Sequence, residues 1–291
     1  MQGACLHPGV RLRYDGSMRW WVALLVGGCN QLLGIEPTAP ITPDARIDGP
    51  GCSDAGFSNP VELQGSVLQI DYDPSTSGDV REIWFTRSAD GFDLFAARRA
   101  DANSPFESIA EYAYDSPSGD FDATLSVDGL ILMFVSDRLA GAQVYEARRA
   151  STMDTFGSPS VITAIAPDEP LRGIDLSRDG LRLYYSNGTE LRMVERATTS
   201  APFGAPSDVL ATDAHFPSLS PDELELFHAR FGANNSPLGV FRSTRTSTTV
   251  AFSGSAELIN STISDPDVSA DSTQLYYSAQ GHLGVMTRSC N

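Results

Sequence analysis

Three carboxylates, an arginine, a histidine and several aromatics fall at one recurring place in this sequence. The pairs are Tyr72-Asp73, Phe121-Asp122, Arg172-Gly173, His215-Phe216 and Ser264-Asp265, each beginning five residues before a Ser-x-Asp landmark. Gathered around one point, such groups make a polar ligand site. Tyr72, Asp73, Phe121, Asp122, Arg172, His215 and Asp265 are therefore the candidate ligand-binding residues. Aspartates at these positions equally suit the capping of strand ends, and that reading stays open. The run from Asp71 through Asp73 and Ser75 to Asp79 has the look of a D-x-D-x-S calcium loop. It lacks the glycine at position six and the bidentate Glu at position twelve, so it reads better as an acidic turn. No metal site and no cofactor are expected.

Other chemistry is thinly represented. The sequence has no G-x-S-x-G, G-x-G-x-x-G, P-loop, H-E-x-x-H or C-x-x-C motif. His215, His228 and His282 are scattered without metal-ligand spacing. The formal charge of −17 repels phosphate backbones, which argues against nucleic-acid binding. The same charge serves solubility, or attracts cations and basic partners. All the basic residues are arginine.

The elements that must position the candidate residues come from a repeat. A Phe followed by small or turn residues recurs at Phe57, Phe106, Phe156, Phe203 and Phe252, spaced 49, 50, 47 and 49. The landmark Ser-x-Asp, then a turn and an apolar-aromatic strand, places its Asp at 79, 128, 179, 222 and 271. Two independent landmarks keep one period five times. Each unit reads as four short strands; in the third they span 172–177, 181–187, 190–197 and 206–211. Asp-Gly at Asp179-Gly180 is a hairpin signal, and its carboxylate suits backbone N–H groups in the turn. Runs such as LILMF and LRLYY have strand composition and no helical period.

Four-stranded units at this period make propeller blades. The expected fold is all-β: a five-bladed β-propeller of four-stranded antiparallel blades. The last unit ends after three strands, whereas the segment Phe57–Gly65 is a fourth strand with no first three before it. The N-terminal strand is therefore expected to complete the last blade, which removes free sheet edges. In the internal blades an arginine precedes the landmark Phe by seven or eight residues, counted from Arg98, Arg148, Arg196 and Arg245. In the last blade the path runs from Arg288 to Cys290, then from Cys52 to Phe57. A Cys52–Cys290 disulfide would replace the missing loop, with two free thiols as the alternative. On this fold the candidate residues ring the mouth of the central channel.

The motif S-x-D-G-x-x-L-x-[YF], followed by a strand ending in arginine as in VYEARR and RMVERA, resembles the WD-repeat-like blades of the TolB type. The resemblance covers about residues 65–290 and implies the fold. TolB's separate N-terminal domain has no counterpart here, so its partner role does not carry over. Five-bladed propellers also include glycoside hydrolases, which use carboxylates of neighbouring inner strands as acid and base. Asp73 and Asp122 occupy suitable places, but the third blade offers Arg172-Gly173 where a Glu is wanted, with only Glu169 nearby.

Near the N-terminus, WWVALLV after Arg19 fits the h-region of an export signal and is too short to span a bilayer. Val26-Gly27-Gly28-Cys29 resembles a bacterial lipobox, which implies lipidation of Cys29 and cleavage before it. Asn30, in place of Asp, implies the outer membrane. An ordinary cleaved signal with Cys29 incidental is the alternative. The expected organisation is an export signal over 1–28, a lipidated Cys29 and flexible tether over 29–56, and the propeller over 57–291. With Met18 as the start, residues 1–17 are not translated. The expected function is a membrane-anchored binding or scaffold module for a protein or small polar ligand. The alternative is a glycoside hydrolase-like propeller acting on glycans.

Overall fold

The computed structural model describes residues 56–63, 70–88, 91–139, 141–166, 170–188, 190–210, 214–233, 236–254 and 256–289. Cys29, Cys52, Cys290, Glu169 and the export and tether segments lie outside them. The described residues form twenty strands and no α-helix.

The strands make five four-stranded antiparallel sheets, the blades of a five-bladed β-propeller. Blade 1 is β2 (Asp71–Thr76), β3 (Glu82–Arg87), β4 (Asp93–Arg98) and β5 (Glu107–Glu111). Blade 2 is β6 (Asp120–Leu125), β7 (Ile131–Ser136), β8 (Gln143–Arg148) and β9 (Ser160–Val161). Blade 3 is β10 (Ile174–Leu176), β11 (Arg182–Ser186), β12 (Leu191–Glu195) and β13 (Ser207–Leu210). Blade 4 is β14 (His215–Leu219), β15 (Glu225–Phe231), β16 (Pro237–Thr244) and β17 (Glu257–Asn260). Blade 5 is β18 (Ser264–Val268), β19 (Gln274–Ala279), β20 (His282–Thr287) and, from the other end of the chain, β1 (Ser58–Glu62). β1 pairs with β20 at Ser58↔Thr287, Val61↔Val285 and Glu62↔Gly284. The innermost strands β2, β6, β10, β14 and β18 touch in a closed cycle. The closure inferred from the displaced fourth strand is the one observed.

The landmark serine and aspartate build the turn between the first two strands of every blade. In blade 2, Ser126 Oγ donates to Asp128 Oδ1 at 2.6 Å. That carboxylate accepts the Leu130 N–H at 3.0 Å, and Ser126 Oγ accepts the Ile131 N–H at 2.9 Å. The same three bonds recur in the other blades. The Gly of Asp-Gly closes a Ser–Gly turn in the left-handed region, at φ 67° for Gly129 and 70° for Gly180. Val80, Glu223 and Ser272 hold that conformation in the other blades, against their usual preference.

Apolar side chains pack between blades, so each core belongs to two neighbours. Trp84 and Leu94 of blade 1 meet Leu132 and Phe134 of blade 2; Ile83 and Phe85 of blade 1 meet Tyr276 and Leu283 of blade 5. A charged latch accompanies every core. The latch arginines are Arg99, Arg149, Arg196, Arg245 and Arg288, stacked 4.3–4.5 Å over Phe106, Phe156, Phe203, Phe252 and Phe57. In blades 1 and 2 the position thus falls to the second arginine of each Arg-Arg pair, not to Arg98 or Arg148. The internal spacing to Phe becomes seven throughout. The first members, Arg98 and Arg148, end their strands and bond across to loop carbonyls of the next blade.

Each latch guanidinium also donates to its own blade's turn carbonyl and reaches the preceding blade. Arg149 meets Glu82, Arg196 meets Glu146, Arg288 meets Glu225, while Arg99 and Arg245 reach the hydroxyls of Tyr276 and Tyr184.

Candidate functional site

Every innermost strand starts with a local break in pleating. The second residue of each candidate pair lies in the left-handed region: Asp73 at φ 50°, Asp122 at 53°, Gly173 at 96°, Phe216 at 50° and Asp265 at 50°. In blades 1, 2, 4 and 5 the register shifts just there, as a β-bulge does. The bulge re-aims the side chain, so these five residues line one recess on the axis, together with the residue after each. At Gly173 a Cβ would lie 2.4 Å from the Phe216 Cα. Glycine is needed there for approach as well as for φ.

The recess holds about 30 Å³, room for roughly two water molecules. Asp73, Asp122 and Asp265 converge on it and share hydrogen bonds. Burial first, then the charges of Asp122 and Asp265, pushes the Asp73 carboxyl well above the usual carboxylate range. Asp73 and Asp122 share a direct side-chain hydrogen bond, which two carboxyls make by holding a proton between them. Burial, then the charge of Asp265, raises Asp122 to about 7, against the opposing hydrogen bond from Asp73, the Gly173 N–H and the Arg172 charge. Burial also raises Asp265, which accepts from Ser278, Ser264 and the Asp73 N–H. The buried Thr86 hydroxyl ties the pair together, bonding Asp73 and accepting the Asp122 N–H at 3.3 Å.

The first residues of the pairs do not line the recess. Tyr72 is half-buried beside it, its phenol raised by burial and by Asp265 and Asp73. Phe121 is half-buried against Phe92, ring centroids 6.3 Å apart. Arg172 is exposed on the rim. His215 is buried, edge-on to Phe231 at 5.0 Å. The Asp71–Ser75 segment is strand β2, with Asp71 holding Arg87 bidentately at 2.8 and 3.1 Å, so it is no calcium loop. Among the described residues no group of three or more His, Cys, Asp or Glu is arranged to hold a metal ion.

A second tier, two residues further along each innermost strand, escaped the sequence reading: Ser75, Thr124, Asp175, Ser218 and Asp267. Thr124 accepts the Leu176 N–H at 3.1 Å, Asp175 the Leu219 N–H at 2.8 Å, Ser218 the Val268 N–H at 2.9 Å and Asp267 the Thr76 N–H at 3.0 Å. Each bond crosses to the next blade. Arg178, on the turn after β10, donates across the axis to the Val268 carbonyl. Its charge opposes the burial that raises Asp175 to about 7 and Asp267 to about 6. The recess is thus a shallow well above a filled axis. The available signal was the run of small polar residues at one fixed offset before the landmark serine.

No protein-family model matches the chain, and no curated protein matches it. Solved structures do. The α-L-arabinofuranosidase PaAbf62A from Podospora anserina, in complex with cellotriose, is similar at TM-score 0.54 and 12% identity, covering 81% of this chain and 96% of that one. The catalytic domain of the GH62 α-L-arabinofuranosidase of Coprinopsis cinerea is similar at TM-score 0.55 and 12% identity, over 81% and 96%. TolB from Acinetobacter baumannii matches at TM-score 0.41 and 16% identity, over 75% of this chain and 43% of that one. This chain spans less than half the length of that TolB. At these identities the arabinofuranosidase likeness shows the propeller fold.

Proposed function

We propose that the chain is an exported, membrane-anchored propeller that binds a partner protein at the channel mouth, through Asp73, Asp122 and Asp265. The observation that carries this reading is the size and chemistry of the recess. About 30 Å³ is far below the roughly 300–1,000 Å³ of small-molecule pockets, so it accepts the tip of one polar group rather than a whole ligand. A group presented by a larger partner fits that constraint. The anchor and outer-membrane location rest on Cys29 and Asn30, the tether on residues 30–56, and closure by a disulfide on Cys52 and Cys290.

Hydrolysis of glycans is the second reading, favoured by the fold shared with the arabinofuranosidases. The direct hydrogen bond between Asp73 and Asp122 counts against it. Paired glycosidase carboxyls stand about 5–9.5 Å apart to admit the sugar carbon or a water. The deciding experiment places a photo-crosslinking residue at Arg172 on the rim and, as control, at Met153 on the opposite end. Protein adducts formed in the envelope from position 172 and not 153 support the proposal; equal adducts from both, or none, refute it. Arabinan hydrolysis lost in Asp73→Asn would establish the second reading instead.

A further inference from the structure

The end of the propeller that carries the recess also carries exposed apolar side chains. In the first two blades the strand ends place the loops before β4, β6 and β8 beside the starts of β2 and β6. Phe92, Tyr114 and Leu139 on these loops are 50%, 43% and 54% exposed. They form one neighbourhood. Phe92 stacks edge-on to Phe121, whose chain neighbour is Asp122. Arg138, beside Leu139, donates to the Tyr114 carbonyl at 3.2 Å. A soluble protein tolerates single exposed apolar residues, but grouped ones rimmed by charge mark an interaction surface.

Around these two blades the charge left without a partner is acidic, while Arg172 stands exposed further round the mouth. The arginines of the two blades here are committed: Arg87 to Asp71 at 2.8 Å and Arg138 to Asp120 at 2.7 Å. Asp93, Asp115 and Asp137 stand between the apolar residues without an arginine ion pair of their own among the described residues. Burial raises Asp115 to about 8, with Asp120 and Asp93 close by adding to the shift. A second copy of this chain, at −17, would bring like charge. An anionic lipid surface would be repelled in the same way.

We infer that this rim seats a partner segment that is both basic and apolar. Its apolar side chains cover Phe92, Tyr114 and Leu139, and one cationic side chain reaches the channel-mouth carboxylates. The inference rests on the binding reading above and adds the partner's chemistry and its seat. It supplies what the recess lacks: area for affinity, where the recess alone gives specificity.

The test uses short fluorescent peptides built from Arg, Leu and Gly, with two controls, Glu replacing Arg and Ser replacing Leu. Binding to the folded propeller is followed by anisotropy. The expected result is binding of the Arg/Leu peptide above both controls, weakening as salt rises through about 0.15 M. Phe92→Ser and Leu139→Ser each weaken it roughly tenfold, as for a buried anchor. Asp137→Asn weakens it and flattens the salt dependence, while Met153→Ser leaves it unchanged. Equal binding of the Glu peptide, wild-type affinity in the rim variants, or rim-dependent binding of phosphatidylglycerol vesicles in place of the peptide would each overturn the inference. Should crosslinks from position 172 persist in that event, the binding reading survives without this partner. Loss of both brings down the two together.

Discussion

Arg288 closes the ring, and removing its charge should open it at one identifiable seam. Its side chain is fully buried. It holds Glu225 of blade 4 at 3.1 and 2.6 Å, donates to the Ser272 carbonyl at 2.6 Å, and lies 4.5 Å over Phe57 beside β1. Arg288→Met keeps most of the volume but leaves Glu225 facing Arg242 alone, at 3.0 Å. Breaking one side of a buried pair costs about 3–5 kcal/mol, within which the lost stacking on Phe57 accounts for about 0.5–2. For a propeller of this size that is a fall in Tm of roughly 6–20 °C. Urea denaturation followed by tryptophan fluorescence measures the cost, with reductant present so that any Cys52–Cys290 bridge contributes nothing.

The location of the damage is the sharper readout. Arg149→Met breaks an equivalent pair, Arg149–Glu82 at 2.8 Å, between blades 1 and 2. The two variants should lose similar stability. Only Arg288→Met should speed hydrogen exchange at the β1 amides that pair with β20, because only that latch fastens the two chain ends. Replacing Glu225 as well, with Leu, should recover part of the loss, since an apolar pair avoids the desolvation cost. A loss under about 1 kcal/mol for Arg288→Met, or equal β1 protection in both variants, would refute the latch as the closing device.

Asp122 and Asp175 at about 7 and Asp267 at about 6 hold protons in the folded state that the unfolded chain, near 3.8, releases. Stability is therefore highest below about pH 4 on this account and falls as pH rises to about 7. Tm should drop between pH 5 and 8, less steeply in Asp175→Asn; a rising Tm would contradict the sign. Gly173→Ala, which sets a Cβ 2.4 Å from the Phe216 backbone at φ 96°, should cost at least about 2 kcal/mol in a urea titration. Gly157→Ala, whose Cβ meets nothing nearer than 3.5 Å, should be nearly neutral, and equal effects would remove the close-approach argument. The folded, unreduced mature protein should titrate with no free thiol at Cys52 or Cys290; two accessible thiols would exclude the bridge.

The blade count and the displaced fourth strand were legible because their chemistry is local. Ser, Asp and the next amides build the turn within six residues, so the motif repeats wherever the turn does. The latch was half legible. Its Phe and Arg sit at fixed spacing, but its acids are recruited differently: Glu82 and Glu225 from second strands, Glu146 from a third. Glu82 and Glu225 share one repeat position, five residues after Ser77 and Ser220, but Glu146 does not. The tier of Asp175 and Asp267 was missed for a similar reason, since three of its five members are Ser or Thr that look like ordinary strand residues.

The structure brings the second residue of each pair to one recess and leaves the first beside it. Pleat alternation alone makes both residues of each pair plausible linings, and the bulge with its left-handed residue decides for the second. That geometry also bears on why aspartate recurs there. Aspartate tolerates φ > 0 better than most residues, so a backbone demand could by itself select it. Blades 3 and 4 answer the same demand with Gly173 and Phe216. Three aspartates are therefore not required by the backbone, and placing them together is costly, since burial raises all three and repulsion adds to it at Asp73 and Asp122. A fold that meets the conformational need with Gly and Phe, and still crowds carboxyls at one mouth, fits the proposed role of these carboxyls in binding. A cationic group brought from outside is the simplest thing that would offset that cost.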